Sequence, residues 1–529
     1  MTKYVSVQEM QAIERQADAG GWSYAEMMEA AGNGLAGAIQ ETYGFLSEDG
    51  ALGLVGSGNN GGDALVALAR LAGEGWRISA LVVRPRPASD PLIERLQQAG
   101  GQVLRLGETA GLDDLPDLIA GHGLLLDGVL GTGARLPLKP ELAETLAAAR
   151  RALAQAAVPP VVVAVDCPSG IDCDSGAAAP ECLPADLTVT MAAVKHGLLK
   201  FPAYSLLGEL QLVGIGLPDG GEQLAAWRAV QTFIPDEDWV SGVLPARPPD
   251  AHKGTFGTLL AVAGSASYTG AAWLAGQAAY RAGAGLVTLA VPAPLHAALA
   301  GAFPEATWVL LPHEDGFIAW RAIDKVRQAL PHASALLVGP GFGMLPTSLD
   351  FLDRLFPRDE LHASGEHPPQ QPLVLDADGL KLVAQLPDWP SRLPAHSVLT
   401  PHPGEMGVLT GLGKDDIQAQ RLELARRCSQ EWGHIVVLKG AFTVIAAPDG
   451  RAAVLPVASA ALARAGTGDV LAGLIGGLLA QGTAPFEAAV AAAWVHAAAG
   501  LLAAEQYGSS APVLAGDVLN AAIEVLGGL

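Results

Sequence analysis

Residues Ala51-Leu-Gly-Leu-Val55 run into Gly56-Ser-Gly-Asn-Asn-Gly-Gly-Asp63 and then into Ala64-Leu-Val-Ala-Leu-Ala-Arg-Leu-Ala72. An aliphatic run, a glycine-rich loop and an apolar helical stretch in that order spell strand, turn and helix. Gly56, Gly58 and Gly61 formally match G-x-G-x-x-G, a spacing that lets backbone N–H groups approach a phosphate at a helix N-terminus. Taken alone the match is weak, because Gly and Asn also build ordinary tight turns. Asp63 sets a carboxylate beside the phosphate cradle, and the next strand ends in Arg84-Pro-Arg86 where a standard dehydrogenase has a ribose-binding acid. The two arginines suit a 2′-phosphate or simple solvation, and the sequence does not decide between them.

The same alternation recurs outward from this unit. Aliphatic runs at 78–83, 124–126, 161–165, 259–262, 336–338, 373–375 and 435–438 are each followed by a polar or glycine-rich loop and a helical stretch. That is the signature of α/β folds with largely parallel sheets covered on both faces, which place chemistry in the loops after strand C-termini. A chain of 529 residues, half of them hydrophobic, exceeds one core, so two domains are expected. The weakly patterned stretch from about Pro218 to His252, punctuated by PDGGEQ, IPDED and PARPPD, reads as the join, with 221–244 a linker between domains 1–220 and 245–529. The polar segment 356–371 reads as a solvated surface insertion.

Composition excludes several function classes. With 32 Lys+Arg against 54 Asp+Glu the formal net charge is −22, which opposes nucleic-acid binding by a broad basic surface. Four cysteines, Cys167, Cys173, Cys182 and Cys428, are too few for a disulfide framework and lack zinc-site spacing. No apolar targeting core is readable in MTKYVSVQEMQAIERQ, so a cytoplasmic protein is expected. The apolar tract 470–504 is broken by Gln481-Gly-Thr-Ala-Pro485 and carries Glu487 and His496; it reads as buried helices, and no membrane partner is expected.

In the first half two further loops follow strands. One is Asp127-Gly-Val-Leu-Gly131-Thr-Gly133-Ala-Arg135-Leu-Pro137, the other Asp166-Cys-Pro-Ser169-Gly-Ile-Asp172. In the second half the telling element is Ala465-Gly466-Thr467-Gly468-Asp469-Val470, running directly into an apolar helix. Unpaired N–H groups there suit a transferring phosphoryl group, and Asp469 is placed to accept a hydroxyl proton.

Together VGSGNNGGD, DGVLGTG, VAVDCPSGID and ADLTVTMAAVKHGL resemble the NAD(P)H-hydrate epimerase domain over residues 1–218. HKGTFG, GSASYTGAA, GPGFG, DADGL, TPHPGEM, LKGAFTVI and AGTGDVLAG resemble the ADP/ATP-dependent NAD(P)H-hydrate dehydratase branch of the ribokinase-like superfamily over residues 245–529. The resemblance implies a Rossmann-like three-layer αβα domain followed by a ribokinase-like αβα domain. It also implies a bifunctional repair enzyme that epimerises the R and S hydrates NADHX and NADPHX and dehydrates the S form with ADP, giving AMP and phosphate.

Carried over by position, Asn59, Asn60, Gly61, Gly62, Asp63 and Gly131, Thr132, Gly133, Ala134, Arg135, Leu136, Pro137 match segments that hold the hydrated dinucleotide, with Asp166 as the catalytic acid/base. Asn60, Asp127 and Ser169 match positions associated with K⁺, a hard cation suited to oxygen donors. Ala271, Gly341, Gly343, His402 and Asp469 match the dehydratase substrate site, with Asp469 as base; Lys439, Gly440, Ala441, Phe442, Thr443 and Gly468 match the adenine-nucleotide site. Mg²⁺ would accompany the phosphates, with Glu405 a candidate contributor. Spacing settles neither assistance from Lys195 or His196 nor a structural role for His402. The sequence likewise leaves open the choice of ADP or ATP, of NADH or NADPH, and the oligomeric state, for which a homo-oligomer is one expectation. A kinase fused to a regulatory dinucleotide-binding module is the competing reading, and it predicts a stable phosphoester product.

Overall fold

A computed structural model describes residues 1–87, 89–358 and 368–529. The chain divides into two compact units, Thr2–Gln231 and Thr232–Leu529. Both are α/β with large, mainly parallel sheets, as the strand–loop–helix alternation predicts.

The strands of the first unit are β1 (Thr2–Val5), β2 (Ala51–Val55), β3 (Ile78–Val82), β4 (Gln102–Arg105), β5 (Leu124–Gly128), β6 (Val161–Val165), β7 (Leu187–Met191), β8 (Val194–Lys195) and β9 (Glu209–Val213). Seven form a parallel sheet in the order β4-β3-β2-β5-β6-β7-β9, while β1 pairs in parallel with β8. All five residues of β2 are buried because alternate side chains enter different cores. Ala51 and Val55 pack into one and Leu52 and Leu54 into the other, so the strand reads as an unbroken apolar run.

Strand order reverses between β2 and β5, which opens a crevice at their C-terminal ends. Bare backbones allow the loops to close around it. A Cβ on Gly56 would lie 2.0 Å from the carbonyl oxygen of Val129, and one on Gly128 2.6 Å from the Cβ of Ala64. The helices Val7–Ala19 and Tyr24–Tyr43 start at Ser-x-x-Glu capping boxes, Ser6 with Glu9 and Ser23 with Glu26. The second lies so close to the helix Asn59–Gly73 that a Cβ on Gly32 would meet Val66 at 2.5 Å.

The second unit contains β10 (Thr232–Ile234), β11 (Thr258–Val262), β12 (Leu286–Pro292), β13 (Thr307–Leu311), β14 (His313–Glu314), β15 (Phe317–Ile318), β16 (Ala335–Val338), β17 (Leu373–Leu375), β18 (Val398–Leu399), β19 (Ile435–Leu438), β20 (Val444–Ala446) and β21 (Ala452–Val454). They are ordered β13-β12-β11-β16-β17-β18-β19-β20-β21-β10, with β14 and β15 forming a separate hairpin. From β13 to β19 every pairing is parallel; β19-β20 and β20-β21 are antiparallel. Again the strands feed two cores: Ala335 and Leu337 of β16 enter one, Leu336 and Val338 the other. The apolar tract beyond Thr467 forms two helices, Thr467–Ala480 and Pro485–Gln506, both contributing to the first of these cores. The longer helix is apolar enough by composition to cross a membrane, but 72% of its most apolar window is buried inside the protein.

Two expectations need correction. Residues 221–244 are not a featureless linker: they hold the helix Ala225–Ala229, β10 and the helix Glu237–Val243. Trp227 and Val230 pack into the first unit, Phe233 and Val240 into the second, so the boundary is a single peptide bond. These elements are too short to show a hydrophobic period. In the expected insertion 356–371, residues 359–367 lie outside the described residues; of the flanks, Phe356, Pro357 and Pro369 are buried, while Arg358 and Gln370 are exposed.

Candidate active sites

The crevice of the first unit is a cavity of about 610 Å³. Asn59, Asn60, Asp63, Gly131, Thr132, Gly133 and Asp166 from the expected set line it. Gly61 and Gly62 serve packing: a Cβ on Gly61 would strike the carbonyl oxygen of Gly56 at 2.1 Å, and one on Gly62 would strike Met28 Sδ at 2.5 Å. Ala134 is buried, and Arg135, Leu136 and Pro137 are not among the lining residues.

Asp166 ends β6 with a left-handed backbone, φ 64°. Its Oδ1 accepts from the backbone N–H of Met191 at 3.0 Å and from Thr190 Oγ1 at 3.1 Å, and is ion-paired with Lys195 Nζ. Lys195 is 1% exposed and also donates to the carbonyl oxygen of Met191 at 2.8 Å. A buried lysine so bound fixes the carboxylate and offsets its charge. Burial raises the Glu14 carboxyl above its ordinary value, with Lys195 opposing that rise.

Asp127 is wholly buried. Its Oδ2 accepts from the Ser169 N–H at 2.8 Å and its Oδ1 from Ser169 Oγ at 2.5 Å. Ser169 Oγ in turn accepts from the N–H of Leu130 at 2.8 Å. Asn60 reaches the same loop, since a Cβ on Gly131 would lie 3.0 Å from Asn60 Oδ1, and its Nδ2 is buried without a partner. The three residues expected at K⁺ therefore converge on one loop.

The arginines after β3 have separate tasks. Arg84 lines the cavity. Arg86 Nη1 donates to the carbonyl oxygen of Gly56 at 2.9 Å while its Nε pairs with Asp90 at 2.7 Å, so it braces the glycine loop instead of standing in solvent.

In the second unit Asp469 lies in the first turn of the helix Thr467–Ala480, entered through Gly466 at φ 92°. Around it stand Asp376, Asp378, Glu405 and Lys439. Lys439 Nζ is 2.7 Å from Asp376 Oδ1 and 3.8 Å from Glu405 Oε2, and a Cβ on Gly468 would lie 3.4 Å from it. Burial, reinforced by the Asp376 charge and opposed by Lys439, pushes the Asp469 carboxyl up to about 7.

Asp376 is buried. Its Oδ1 also accepts from Thr400 Oγ1 at 2.6 Å, and its Oδ2 has no partner. Asp378 Oδ2 accepts from the N–H of Gly343 at 2.8 Å, tying the Gly341–Gly343 loop to this cluster. A Cβ on Gly341 would sit 2.9 Å from that of Ala271, so those two expected substrate contacts adjoin.

His402 N-caps the helix Pro403–Thr410: its Nδ1 accepts from the N–H of Gly404 at 2.9 Å, and the Glu405 carboxylate accepts from the His402 N–H at 2.8 Å. The ring retains 55% of its exposure, so the cap leaves it open to a ligand. The loop 440–443 is anchored by Arg421, which sequence reasoning missed. Its Nη2 donates to the carbonyl oxygens of Leu438 at 2.7 Å and Lys439 at 3.2 Å.

Fold and sites define a two-unit α/β enzyme: a Rossmann-like unit with a buried acid–lysine pair at its strand ends, then a ribokinase-like unit with Asp469 in the first turn of a glycine-capped helix. The model described as YjeF-related protein N-terminus matches residues 24–197, and that described as NAD(P)H-hydrate dehydratase matches residues 259–521. Bifunctional NAD(P)H-hydrate repair enzymes from Moorella thermoacetica and Salinibacter ruber are each 36% identical to the chain. They align over 93% and 92% of it and over 91% and 88% of their own lengths. The ADP/ATP-dependent NAD(P)H-hydrate dehydratase of Bacillus subtilis, co-crystallised with ATP/Mg²⁺, is 30% identical. It covers 56% of this chain and 97% of its own, with a TM-score of 0.47. The chain belongs to the family of bifunctional NAD(P)H-hydrate repair enzymes.

Proposed function

We propose that the first unit interconverts the R and S C6 hydrates of NADH and NADPH, and that the second dehydrates the S hydrate with ADP as phosphoryl donor. The ion-paired Asp166 on the wall of a cavity of about 610 Å³ is the observation that carries the first half. The hydrated C6 carbon adjoins the ring nitrogen, so its C–O bond breaks with nitrogen assistance; the Asp166 carboxylate faces the positive charge that develops and takes the proton of the water that re-adds. Thr190, Met191 and Lys195 hold that carboxylate in place.

In the second unit Asp469 takes the proton of the C6 hydroxyl as its oxygen attacks the terminal phosphorus of the nucleotide. AMP leaves when ADP is the donor. Nitrogen then expels phosphate from C6, and loss of a C5 proton restores the dihydropyridine. A base near neutral pKa suits this step.

Asn60, Asp127 and Ser169 fit K⁺: they offer amide, carboxylate and hydroxyl oxygens, and the buried Asp127 carboxyl is held by neutral donors, the N–H groups of Val129 and Ser169 and the Ser169 hydroxyl. The ion would supply the countercharge for that carboxylate and tie the loop of Leu130 and Gly131 to Asn60. Among the described residues no cluster of three or more acidic, histidine or cysteine side chains forms a metal site by itself. Mg²⁺ is therefore assigned to arrive with the nucleotide phosphates, whose charge it would offset beside Glu405 and the unpartnered Asp376 Oδ2. A cytoplasmic setting suits four buried free thiols.

The test uses the full chain with separated hydrate epimers. Wild type with ADP should regenerate NAD(P)H from either epimer, releasing AMP and phosphate. D166A should act on the S epimer alone, and a lasting phosphoester product would refute the dehydratase assignment.

A further inference from the structure

Asp166 is one carboxyl at the epimerase cavity, but breaking the C6–O bond also needs a proton donor, since hydroxide leaves poorly. Lys195 does not fill that role: its ammonium is committed to Asp166, Thr190 and the carbonyl oxygen of Met191. Asp63 is the remaining carboxyl from the expected substrate set. It lies at the start of the second turn of the helix Asn59–Gly73, on the wall formed beyond β2, whereas Asp166 directly follows the end of β6.

Resting on the epimerase reading above, we propose that Asp63 is the general acid of this site, protonating the departing C6 hydroxyl while Asp166 receives the proton of the incoming water. The steps balance. The Asp63 proton passes to the hydroxyl oxygen, the C6–O bond breaks, and the nitrogen lone pair forms a C6–N iminium with release of water. Water adds to the other face of C6, its extra proton goes to Asp166, and solvent at the open cavity then takes that proton from Asp166 and returns one to Asp63. Running backwards, the same two carboxyls exchange roles.

The surroundings keep a proton on Asp63. Burial raises its carboxyl well above the usual carboxylate range, the neighbouring charges of Asp166 and Glu14 add to that, and Lys195 opposes it. The charged and titratable groups lining this cavity are Glu14 and Arg15 from the helix Val7–Ala19, Tyr24 from the following helix, Arg84, Asp166 and Lys195. The cation that opposes the rise at Asp63, Lys195, is already paired with Asp166.

The experiment follows R-to-S conversion of hydrated NADH by chromatography without nucleotide, so that the second unit is idle, across a range of pH and after subtraction of uncatalysed exchange. In wild type, kcat for epimerisation should fall as pH rises through the raised Asp63 value. D63N should bind the hydrate within about threefold of wild type, lose on the order of 100-fold in kcat and lose that alkaline limb. A wild-type profile without an alkaline limb overturns the proposal. So does a D63N that epimerises within about threefold of wild type, or one that raises KM with kcat intact. The wild-type profile decides by itself should D63N not fold. A wild type that leaves the hydrate unepimerised refutes the epimerase reading instead, so the two failures are distinguishable.

Discussion

Single side chains carry the sharpest consequences. With its carboxyl near 7, Asp469 is the base only when ionised, so kcat for dehydration should fall as pH drops below about 7. The same shift has a stability sign: a carboxyl raised on folding costs stability as pH rises from its unfolded value toward the folded one and beyond. D469N should therefore abolish dehydration yet stabilise the protein at pH 8, on the order of 1 kcal/mol, measured as an upward shift of the urea midpoint. Lys195 has the opposite character. K195M strands a buried carboxylate, so it should cost about 3–5 kcal/mol in urea unfolding of the first unit and remove epimerisation. Asp166 and Asp469 were legible in the sequence because each stands at an element junction marked by Gly or Pro, Asp166 after β6 and Asp469 in the first turn of its helix. Lys195 was not assignable, since its partner is 29 residues away and only the pairing of β6 with β7 brings them together.

Among elements, the helix Thr467–Ala480 shows how packing positions chemistry. Its Gly473 and Gly477 lie against the helix Thr269–Arg281, where a Cβ would stand 2.2 Å from the carbonyl oxygen of Ala275 and 2.6 Å from that of Ala279. G473A should lift the helix, costing about 1–3 kcal/mol and, because Asp469 opens the same helix, lowering dehydration while epimerisation persists. Strands β2, β5, β6, β16 and β17 were readable because each holds an aliphatic run that ends at a glycine or an aspartate, whereas the two-residue β18 was too short to read. The helices Val7–Ala19 and Tyr24–Tyr43 went unused in the sequence reading despite their Ser-x-x-Glu signals, and they supply Glu14, Arg15, Tyr24, Met27 and Met28 to the cavity wall. Their contribution depends on which helix faces the crevice, and that is tertiary information. Punctuation misled at 221–244, where Pro235 and Asp236 lead into the helix Glu237–Val243, capped by the Asp236 side chain, instead of marking an open link.

For the whole molecule, the two units have separate cores and separate reactive carboxyls. Each inactivating substitution should therefore remove one half-reaction and spare the other. A mixture of D166A and D469N chains should restore complete repair of mixed epimers, because the hydrate released by one chain is a substrate for its neighbour. The formal charge of −22 provides no broad attractive field for polyanionic ligands. The most direct test supplies the intact protein with mixed NADH hydrate epimers and ADP and follows recovery of reduced-nicotinamide absorbance. Recovery of both epimers by wild type, of the S fraction followed by a slow uncatalysed remainder by D166A, and of nothing by D469N is the predicted result. Hydrate left untouched by wild type with ADP and with ATP, or full recovery by D166A at the wild-type rate, would contradict it.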